Sequence, residues 1–314
     1  GGVTPSYVDV VDYYHFQTLG NAADFGNLSA ASAFLAANSN NVRGVYGPRR
    51  ASNDDAANII EYITFTTLGN TIDFGDSTAA RRNMPGASSS TRGLIMGGEE
   101  GPGTVNKIEF FEFSTLSNTT DFGDLTSVRQ DMGAVNSPYK AMTLGGSPAT
   151  ATCDTVDIRS LGNAVDFGDL TETKGGTAGA SSHIRGICGG GFTDPAQSNV
   201  IEQVAFSTAG NFSDFGDLAT ATQQMAGSSN GHGGLDIFDP RAPELYSPTG
   251  KVVPRGLGVG DIAVSGGGYA SGYKSEIDFR QISTTGNEAN FGELVAGRQI
   301  QGSCSSTTRG LLIM

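Results

Sequence analysis

The residues of this chain that could do chemistry fall in repeated positions. The tripeptide Asp-Phe-Gly, or the variant Asn-Phe-Gly, occurs six times, and successive copies are 45 to 49 residues apart except for one step of 76. Protein kinases bind magnesium through Asp-Phe-Gly, but no phosphate-covering glycine loop or partner lysine strand accompanies these copies. The motif therefore predicts a turn in which Asp and Asn bond their own backbone and Phe packs between units. The six phenylalanines are Phe25, Phe74, Phe122, Phe167, Phe215 and Phe291.

A second repeated signal is an acid inside an apolar strand. The six acids are Asp12, Glu61, Glu109, Asp154, Glu202 and Asp278. Basic residues precede most of them, at Arg43, Arg92, Lys140, Arg185 and Arg309. We expect each acid to pair with the base of the adjacent strand, a contact worth ~1 kcal/mol or less if exposed. A glycosidase needs two carboxylates in different environments, and repetition makes these environments equal.

Metal and thiol chemistry finds little support in the sequence. The cysteines and histidines are Cys153, Cys188, Cys304, His15, His183 and His232. Their scattered positions match neither a disulfide framework nor the spacing of metal ligands. We expect the cysteines to be small core residues. The sequence thus predicts a protein without catalytic residues, metal site or cofactor.

A bound calcium ion is the alternative to a protein without a cofactor. Asp73 and Asp76, like Asp121 and Asp124, are close enough in sequence to share one ion. The alternating Asp ladder that ends in glycine, which dedicated calcium loops carry, does not occur at these turns.

The elements that must position these residues are short strands. Glycine accounts for 46 of 314 residues, as is typical of strands joined by many tight turns. No stretch shows the 3.6-residue apolar periodicity of an amphipathic helix. A period in the high forties indicates an array of like units, each of about four strands, that bury their apolar faces against their neighbours.

The two ends of the chain complement each other. The C-terminal residues 305–314 resemble the internal segment 88–96, which Gly97 and Gly98 follow, and the chain itself begins with two glycines. The C-terminus would then supply the inner strand of a unit whose outer strands are N-terminal. Such sharing removes the exposed edges of an open array. We predict one all-β domain over 1–314, a six-bladed β-propeller closed in this way.

One segment breaks the repeat. The step of 76 places an inserted loop at about 230–260, which holds four of the 11 prolines. Long proline-bearing loops in compact domains are usually functional or disordered. We expect a docking arm, with a disordered excursion or a ligand lid as alternatives. The predicted binding residues are Phe238, Arg241, Glu244, Leu245 and Tyr246.

The charge of the chain limits its partners. A net charge of −13 argues against nucleic acid and against anionic membrane surfaces. No apolar run approaches the ~20 residues of a spanning helix. We therefore expect neither nucleic-acid binding nor membrane insertion.

The repeat itself supports a resemblance. The order Gly-Gly, loop, aliphatic-acid strand, aromatic, Leu, Arg resembles kelch repeats. The longer pattern Gly-Asn-x-x-Asp-Phe-Gly-Asp-Leu-Thr, with Ser-Ser-x-Thr-Arg-Gly, is similar over essentially the whole chain to repeats in virion proteins of marine tailed bacteriophages, including cyanophages.

The resemblance implies a function and a location. The chain would be a tail-fibre, adhesin or other virion appendage, at the virion or outside the cell. Its partners would be other virion proteins, a host-surface glycan or receptor, or further copies of itself. The alternatives are a carbohydrate-active enzyme that uses Arg241, Glu244, Tyr246 and His232, and a cellular kelch-like interaction scaffold.

Overall fold

The predicted fold class is confirmed at the level of secondary structure. A computed structural model describes residues 2–4, 6–51, 56–235, 261–299 and 302–313. Every regular element in these ranges is a β-strand, and every strand pairing is antiparallel. The same ranges contain no helix long and apolar enough to cross a membrane.

The strands are short and closely spaced, as the many turn residues predict. Their bounds are β1 Val8–His15, β2 Ala23–Ala33, β3 Ala37–Ser39, β4 Arg43–Tyr46, β5 Arg49–Ala51, β6 Ala56–Ala57, β7 Ile59–Thr64, β8 Ile72–Asp76, β9 Arg81–Arg82, β10 Gly86–Ser88, β11 Arg92–Met96, β12 Glu99–Glu100, β13 Gly103–Thr104, β14 Lys107–Glu112, β15 Thr120–Asp124, β16 Gly133–Asn136, β17 Lys140–Leu144, β18 Thr152–Asp157, β19 Val165–Asp169, β20 Ala178–Ser181, β21 Arg185–Gly189, β22 Val200–Ala205, β23 Ser213–Asp217, β24 Ala226–Ser229, β25 Ile262–Gly266, β26 Glu276–Gln281, β27 Ala289–Glu293, β28 Gly302–Ser305 and β29 Arg309–Ile313.

Six units of four strands organise the described residues. We number them along the chain and refer to the first, second, third and fourth strand of each. The units are unit 1 (β28-β29-β1-β2), unit 2 (β3-β4-β7-β8), unit 3 (β10-β11-β14-β15), unit 4 (β16-β17-β18-β19), unit 5 (β20-β21-β22-β23) and unit 6 (β24-β25-β26-β27). Strands β5 and β6 extend the sheet of unit 1, and β9, β12 and β13 form a small separate sheet.

Unit 1 joins the two ends of the chain. Strand β29 pairs antiparallel with β1, so that Ile313 lies opposite Val11 and Arg309 lies opposite His15. The first strands of the units also contact one another in order, from β3 through β10, β16, β20, β24 and β28, and β28 contacts β3.

Neighbouring units are joined by a repeated contact that we call the clasp. Between units 2 and 3, the Asn118 side chain accepts a hydrogen bond from the Asp76 amide (3.0 Å), and the Thr119 amide donates to the Asp76 carbonyl (2.9 Å). The motif glycine, Gly75, has a φ of +149°, and a Cβ built on it would lie 2.6 Å from the Ser117 carbonyl oxygen. The backbones therefore approach too closely for any side chain.

The clasp occurs between every pair of successive units and also between unit 6 and unit 1. In each case an Asn Oδ1 accepts from the amide two residues after the motif phenylalanine, at 3.0 to 3.1 Å. The Asn and amide pairs are Asn70 with Asn27, Asn118 with Asp76, Asn163 with Asp124, Asn211 with Asp169, Asn287 with Asp217, and Asn21 with Glu293. The sequence prediction that the motif forms a turn was wrong, because all six copies lie within fourth strands. The Asn side chains of the clasp bond the adjacent unit instead of their own backbone.

The clasp makes a prediction about its glycine. Gly75→Ala should destabilise the fold by roughly 1–3 kcal/mol, because the new methyl group meets a backbone oxygen and an alanine is strained at this φ. Urea denaturation followed by circular dichroism measures the change. Gly103→Ala is the control, since a Cβ there meets nothing within 4 Å. Equal stabilities of the two variants would contradict the clasp as a tight contact.

Candidate functional site

The six motif phenylalanines all lie in the fourth strands, and all are buried. Phe74 packs edge-on against Phe111 of unit 3, with 5.1 Å between ring centroids. Phe291 of unit 6 packs in the same way against Tyr14 of unit 1, at 5.4 Å. At these two junctions the motif phenylalanine thus fills space between one unit and the next.

The repeated acids lie on the third strands and bind cations of the preceding unit. Glu109 of unit 3 forms an ion pair with Arg81 of unit 2 at 2.9 Å, and Asp154 of unit 4 accepts from Arg129 of unit 3 at 2.5 Å. Both pairs are buried. The cation stands seven residues after the motif phenylalanine. A buried carboxylate needs such a partner, because an unpaired buried charge is costly.

The same arrangement occurs one junction further along the chain. Lys174 of unit 4 forms a buried ion pair with Glu202 of unit 5. Three successive junctions therefore each contain one buried cation–carboxylate pair in the same position.

The predicted pairing of these acids with the bases of the second strands was wrong. Arg92 instead binds Glu112 at 2.7 Å and donates to the Ile158 carbonyl of unit 4 at 3.1 Å. The other bases likewise reach a backbone carbonyl of the following unit. These contacts are Arg43 to Phe113 (2.5 Å), Lys140 to Phe206 (2.9 Å), Arg185 to Ile282 (2.9 Å) and Arg309 to Phe65 (2.7 Å). The acids thus take their cations from the preceding unit, whereas the bases of the second strands donate to the following unit and, for Arg92, also to Glu112 of the neighbouring strand.

The remaining three junctions lack a standard pair. Ser32 stands at the cation position of unit 1, and Arg49 of strand β5 binds Glu61 in its place at 2.6 Å. Between units 6 and 1, Arg298 faces Asp12 without a hydrogen bond, and burial raises the pKa of that carboxyl. Between units 5 and 6, the cation is replaced by Thr222.

The buried pair of unit 3 makes a prediction. Glu109→Gln should cost about 3–5 kcal/mol of unfolding free energy, because it leaves the buried Arg81 guanidinium without its counter-charge. Glu112→Gln should cost about 1 kcal/mol or less, because the Glu112 side chain is 36% exposed. Urea denaturation of both variants measures the difference. Adding Arg81→Met to Glu109→Leu should recover stability, whereas adding Arg92→Met should not; the reverse result would restore the pairing with Arg92.

The first strands of all six units line one narrow cavity of ≈60 Å³. Such a volume holds a few water molecules, whereas pockets for drug-sized ligands span roughly 300–1,000 Å³. Glycines allow the first strands to lie close together around the cavity. A Cβ on Gly227 would lie 2.6 Å from the Gly179 carbonyl oxygen. The cavity is therefore too small for a glycan.

A chain of hydrogen bonds runs around one end of this cavity, which we call the polar ring. In five of the six first strands, the side chain of the last residue donates to the backbone carbonyl of the last residue of the preceding first strand. The contacts are Ser88 to Ser39 (2.8 Å), Asn136 to Ser88, Ser181 to Asn136 (2.8 Å), Ser229 to Ser181 (2.5 Å) and Ser305 to Ser229 (2.6 Å). The sixth carbonyl, that of Ser305, accepts from His232 at 3.1 Å.

His232 is held in one tautomer. Its Nδ1 accepts from the Gly234 amide at 3.0 Å, so the proton is on Nε2, which faces the Ser305 carbonyl and the Ser39 hydroxyl. Burial lowers the pKa of His232 to about 4. A second proton would place an N–H against the Gly234 N–H. The imidazole is therefore a neutral structural donor, which disfavours its predicted alternative use as a catalytic residue.

The beginning of the inserted loop turns inward. Residues 230–235 are buried at the polar ring, where the Gly233 amide donates to Asn136 (3.1 Å) and the Leu235 carbonyl contacts His183 (3.0 Å). The first six residues of the predicted inserted loop are therefore packed against the polar ring. The predicted binding residues Phe238, Arg241, Glu244, Leu245 and Tyr246 lie outside the described residues.

The polar ring makes a prediction about pH. Since the pKa of His232 is about 4 in the folded protein and ordinarily 6.5, the unfolded chain takes up the proton first as pH falls. The contribution of His232 to stability is complete above pH 6.5 and declines by about 3 kcal/mol toward pH 4. Urea denaturation at pH 7 and pH 4.5 should show a weaker pH dependence for His232→Gln than for the parent. His15→Gln, at an exposed position, is the control; equal slopes for all three proteins would contradict this role.

The three cysteines are free and buried, as core residues should be. Cys188 lies among Met142, Leu144 and Phe167, and burial raises its pKa to about 11. Among the described residues, no group of three or more His, Cys, Asp or Glu side chains is placed to hold a metal ion.

Exposed apolar residues occur in two kinds of turn. Leu19, Leu68, Leu116 and Leu161 occupy the turns between third and fourth strands, and each is 55 to 67% exposed. Val42, Tyr139 and Ile184 occupy the turns between first and second strands and are also exposed. In a four-stranded antiparallel meander both kinds of turn lie at the same end of the sheet. The inserted loop leaves unit 6 from this end as well, between β24 and β25.

The chain was compared with models of known protein families and with curated protein sequences, and neither comparison finds a match.

Sequence reasoning identified the repeated phenylalanines and acids but missed the cation position, the polar ring and the inward turn of His232. Two signals were present. A cation stands seven residues after the phenylalanine in four copies, and Ser or Asn ends each first strand. Neither signal indicates by itself which unit provides the partner.

Proposed function

We propose that the six units form a six-bladed β-propeller in which unit 1 is shared by the two ends of the chain. Three observations support this architecture. Strand β29 pairs with β1. The clasp between Glu293 and Asn21 repeats the clasps between successive units. The first strands contact one another in a cyclic order around one cavity.

We further propose that the protein is a non-enzymatic binding module of a bacteriophage virion appendage. The observation that carries this proposal is that exposed apolar side chains occur at the same end of the sheets of units 1 to 5, and that the inserted loop begins at this end of unit 6. Scattered apolar residues need no explanation, but a set at equivalent turns of several units provides a surface for a protein partner. The resemblance of the repeat to virion proteins of marine tailed phages supplies the biological setting.

The use of the acids is consistent with a scaffold. Glu61, Glu109, Asp154 and Glu202 are all buried in ion pairs. Their charge stabilises the junctions between units, so that these carboxylates are not available to a substrate. Binding would then depend on the turns, whose sequence can vary without loss of the fold.

The location is tested by electron microscopy. Gold-labelled antibodies against the chain should decorate a tail or fibre structure on intact particles of a phage that encodes it. Detection of the chain in infected cells but never on particles would contradict a virion role. A parallel screen for turnover of host-surface glycans separates this proposal from a carbohydrate-active enzyme.

The binding surface makes its own prediction. Changing Leu68, Leu116 and Leu161 together to Ser should weaken binding to virion proteins or host cells on the order of tenfold or more, because an interface loses three apolar contacts. Surface-immobilised protein and dissociated virion proteins provide the assay. Val295→Ser is the matched control, since Val295 is 65% exposed in a connection from a fourth to a first strand, at the opposite end of the sheet. Equal binding by the triple variant and by Val295→Ser would show that these leucines are not part of the binding site.

A further inference from the structure

The junction between units 5 and 6 departs from the rule that three of the other junctions follow. In units 2, 3 and 4 the residue seven positions after the motif phenylalanine is a cation that binds the acid of the next unit. Unit 5 has Thr222 in this position, while unit 6 retains the acid as Asp278. The carboxylate is therefore present without the arginine or lysine that its counterparts bind.

A cavity of ≈190 Å³ lies between Thr222 and Asp278. Thr222, Met225, Lys274, Glu276, Asp278 and Glu288 contribute to its lining. The cavity is about three times the volume of the central cavity, and it is lined by Thr222, which stands at the position of the buried and longer Arg81, Arg129 and Lys174 of units 2, 3 and 4. Its walls combine apolar groups with carboxylates, which suits a cation with a short hydrocarbon stem.

Of the carboxylates that line the cavity, Asp278 is the one that no cation of the described ranges contacts directly. Arg280 binds Glu288, and Lys274 lies 3.6 Å from Glu276. Among the described residues, no cation forms an ion pair or hydrogen bond with Asp278. Burial raises the pKa of Asp278, and the charge of Glu276 raises it further, whereas the charges of Arg280 and Lys274 lower it. Because the pKa is raised on balance, the carboxylate would gain from a further positive partner in direct contact.

The neighbouring units show which partner this carboxylate position accepts. Arg129 donates to Asp154 at 2.5 Å and also to the carbonyls of Gly145 and Thr152, at 3.0 and 2.7 Å. Arg81 likewise donates to the Gly97 carbonyl at 2.9 Å. The corresponding glycine of unit 6, Gly267, lines the cavity. A planar guanidinium thus finds a carboxylate and a backbone carbonyl at matching places.

We propose that the cavity between units 5 and 6 binds a guanidinium group in trans, with Asp278 as its counter-ion. The group can come from a free small molecule or from an arginine side chain of a bound partner. Either would complete the junction that Arg81 and Arg129 complete from within the chain. The site does not depend on the proposed virion role.

The probe is agmatine, a guanidinium on a short alkyl chain. Because the chain has no tryptophan, unfolding is followed by calorimetry or circular dichroism. Agmatine at millimolar concentration should raise the Tm of the full chain in a saturable way, on the order of a few degrees. Asp278→Asn should abolish this rise. Thr222→Val, which retains the size of the side chain, should preserve it.

A second variant fills the site from within. Thr222→Arg places the guanidinium of the other units in the cavity and should raise the Tm without ligand while removing the response to agmatine. If this variant does not fold, the comparison of Asp278→Asn with Thr222→Val still tests whether the rise in Tm with agmatine depends on Asp278. No saturable rise in the parent protein, or an equal rise in Asp278→Asn, would overturn the proposal.

Two further arms distinguish the source of the group. Putrescine carries ammonium groups in place of guanidinium and should produce a smaller rise, because it cannot make two parallel hydrogen bonds. An arginine-containing peptide tests whether a side chain can enter from outside. A rise with agmatine alone assigns the site to a free small molecule, and an equal rise with the peptide assigns it to an arginine of a partner.

Discussion

The close approach of backbones at the clasp is the constraint on which the rest of the structure depends. At Gly75 the neighbouring carbonyl lies 2.6 Å from where a Cβ would be, and Asn118 and Thr119 bond the amide and the carbonyl of Asp76. Only glycine permits this distance. The spacing it sets allows the motif phenylalanine to fill the junction and brings the cation seven residues later to the acid of the next unit.

The contribution of each ion pair to stability depends on how deeply it is buried. The ion pairs of Glu109 and Asp154 are inaccessible to water, so their contribution depends on complete pairing. The pair of Arg92 and Glu112 is partly exposed and contributes little. Where the chain departs from the rule, at Thr222, a cavity lined by Lys274 and three carboxylates is found, and this cavity is the proposed guanidinium site.

The polar ring and the inserted loop are parts of one feature. Ser305 has no first-strand donor for its carbonyl, and His232 provides one from the beginning of the loop. Residues 230–235 thereby anchor the beginning of the loop at the end of the cavity. A surface loop anchored on a rigid scaffold is a common arrangement for binding, and the exposed leucines of the neighbouring turns lie at the same end of their sheets.

The sequence by itself determined the all-β class, the six-fold repeat, the burial of Phe74 and its counterparts, and the relation between the two ends of the chain. Periodicity carries this information because equivalent positions have equivalent environments. Only the tertiary structure decided the partners. Glu109 binds Arg81 rather than Arg92, Asn118 clasps the adjacent unit, and His232 turns inward. Each of these contacts joins residues of different units, and local sequence does not encode the distance between them.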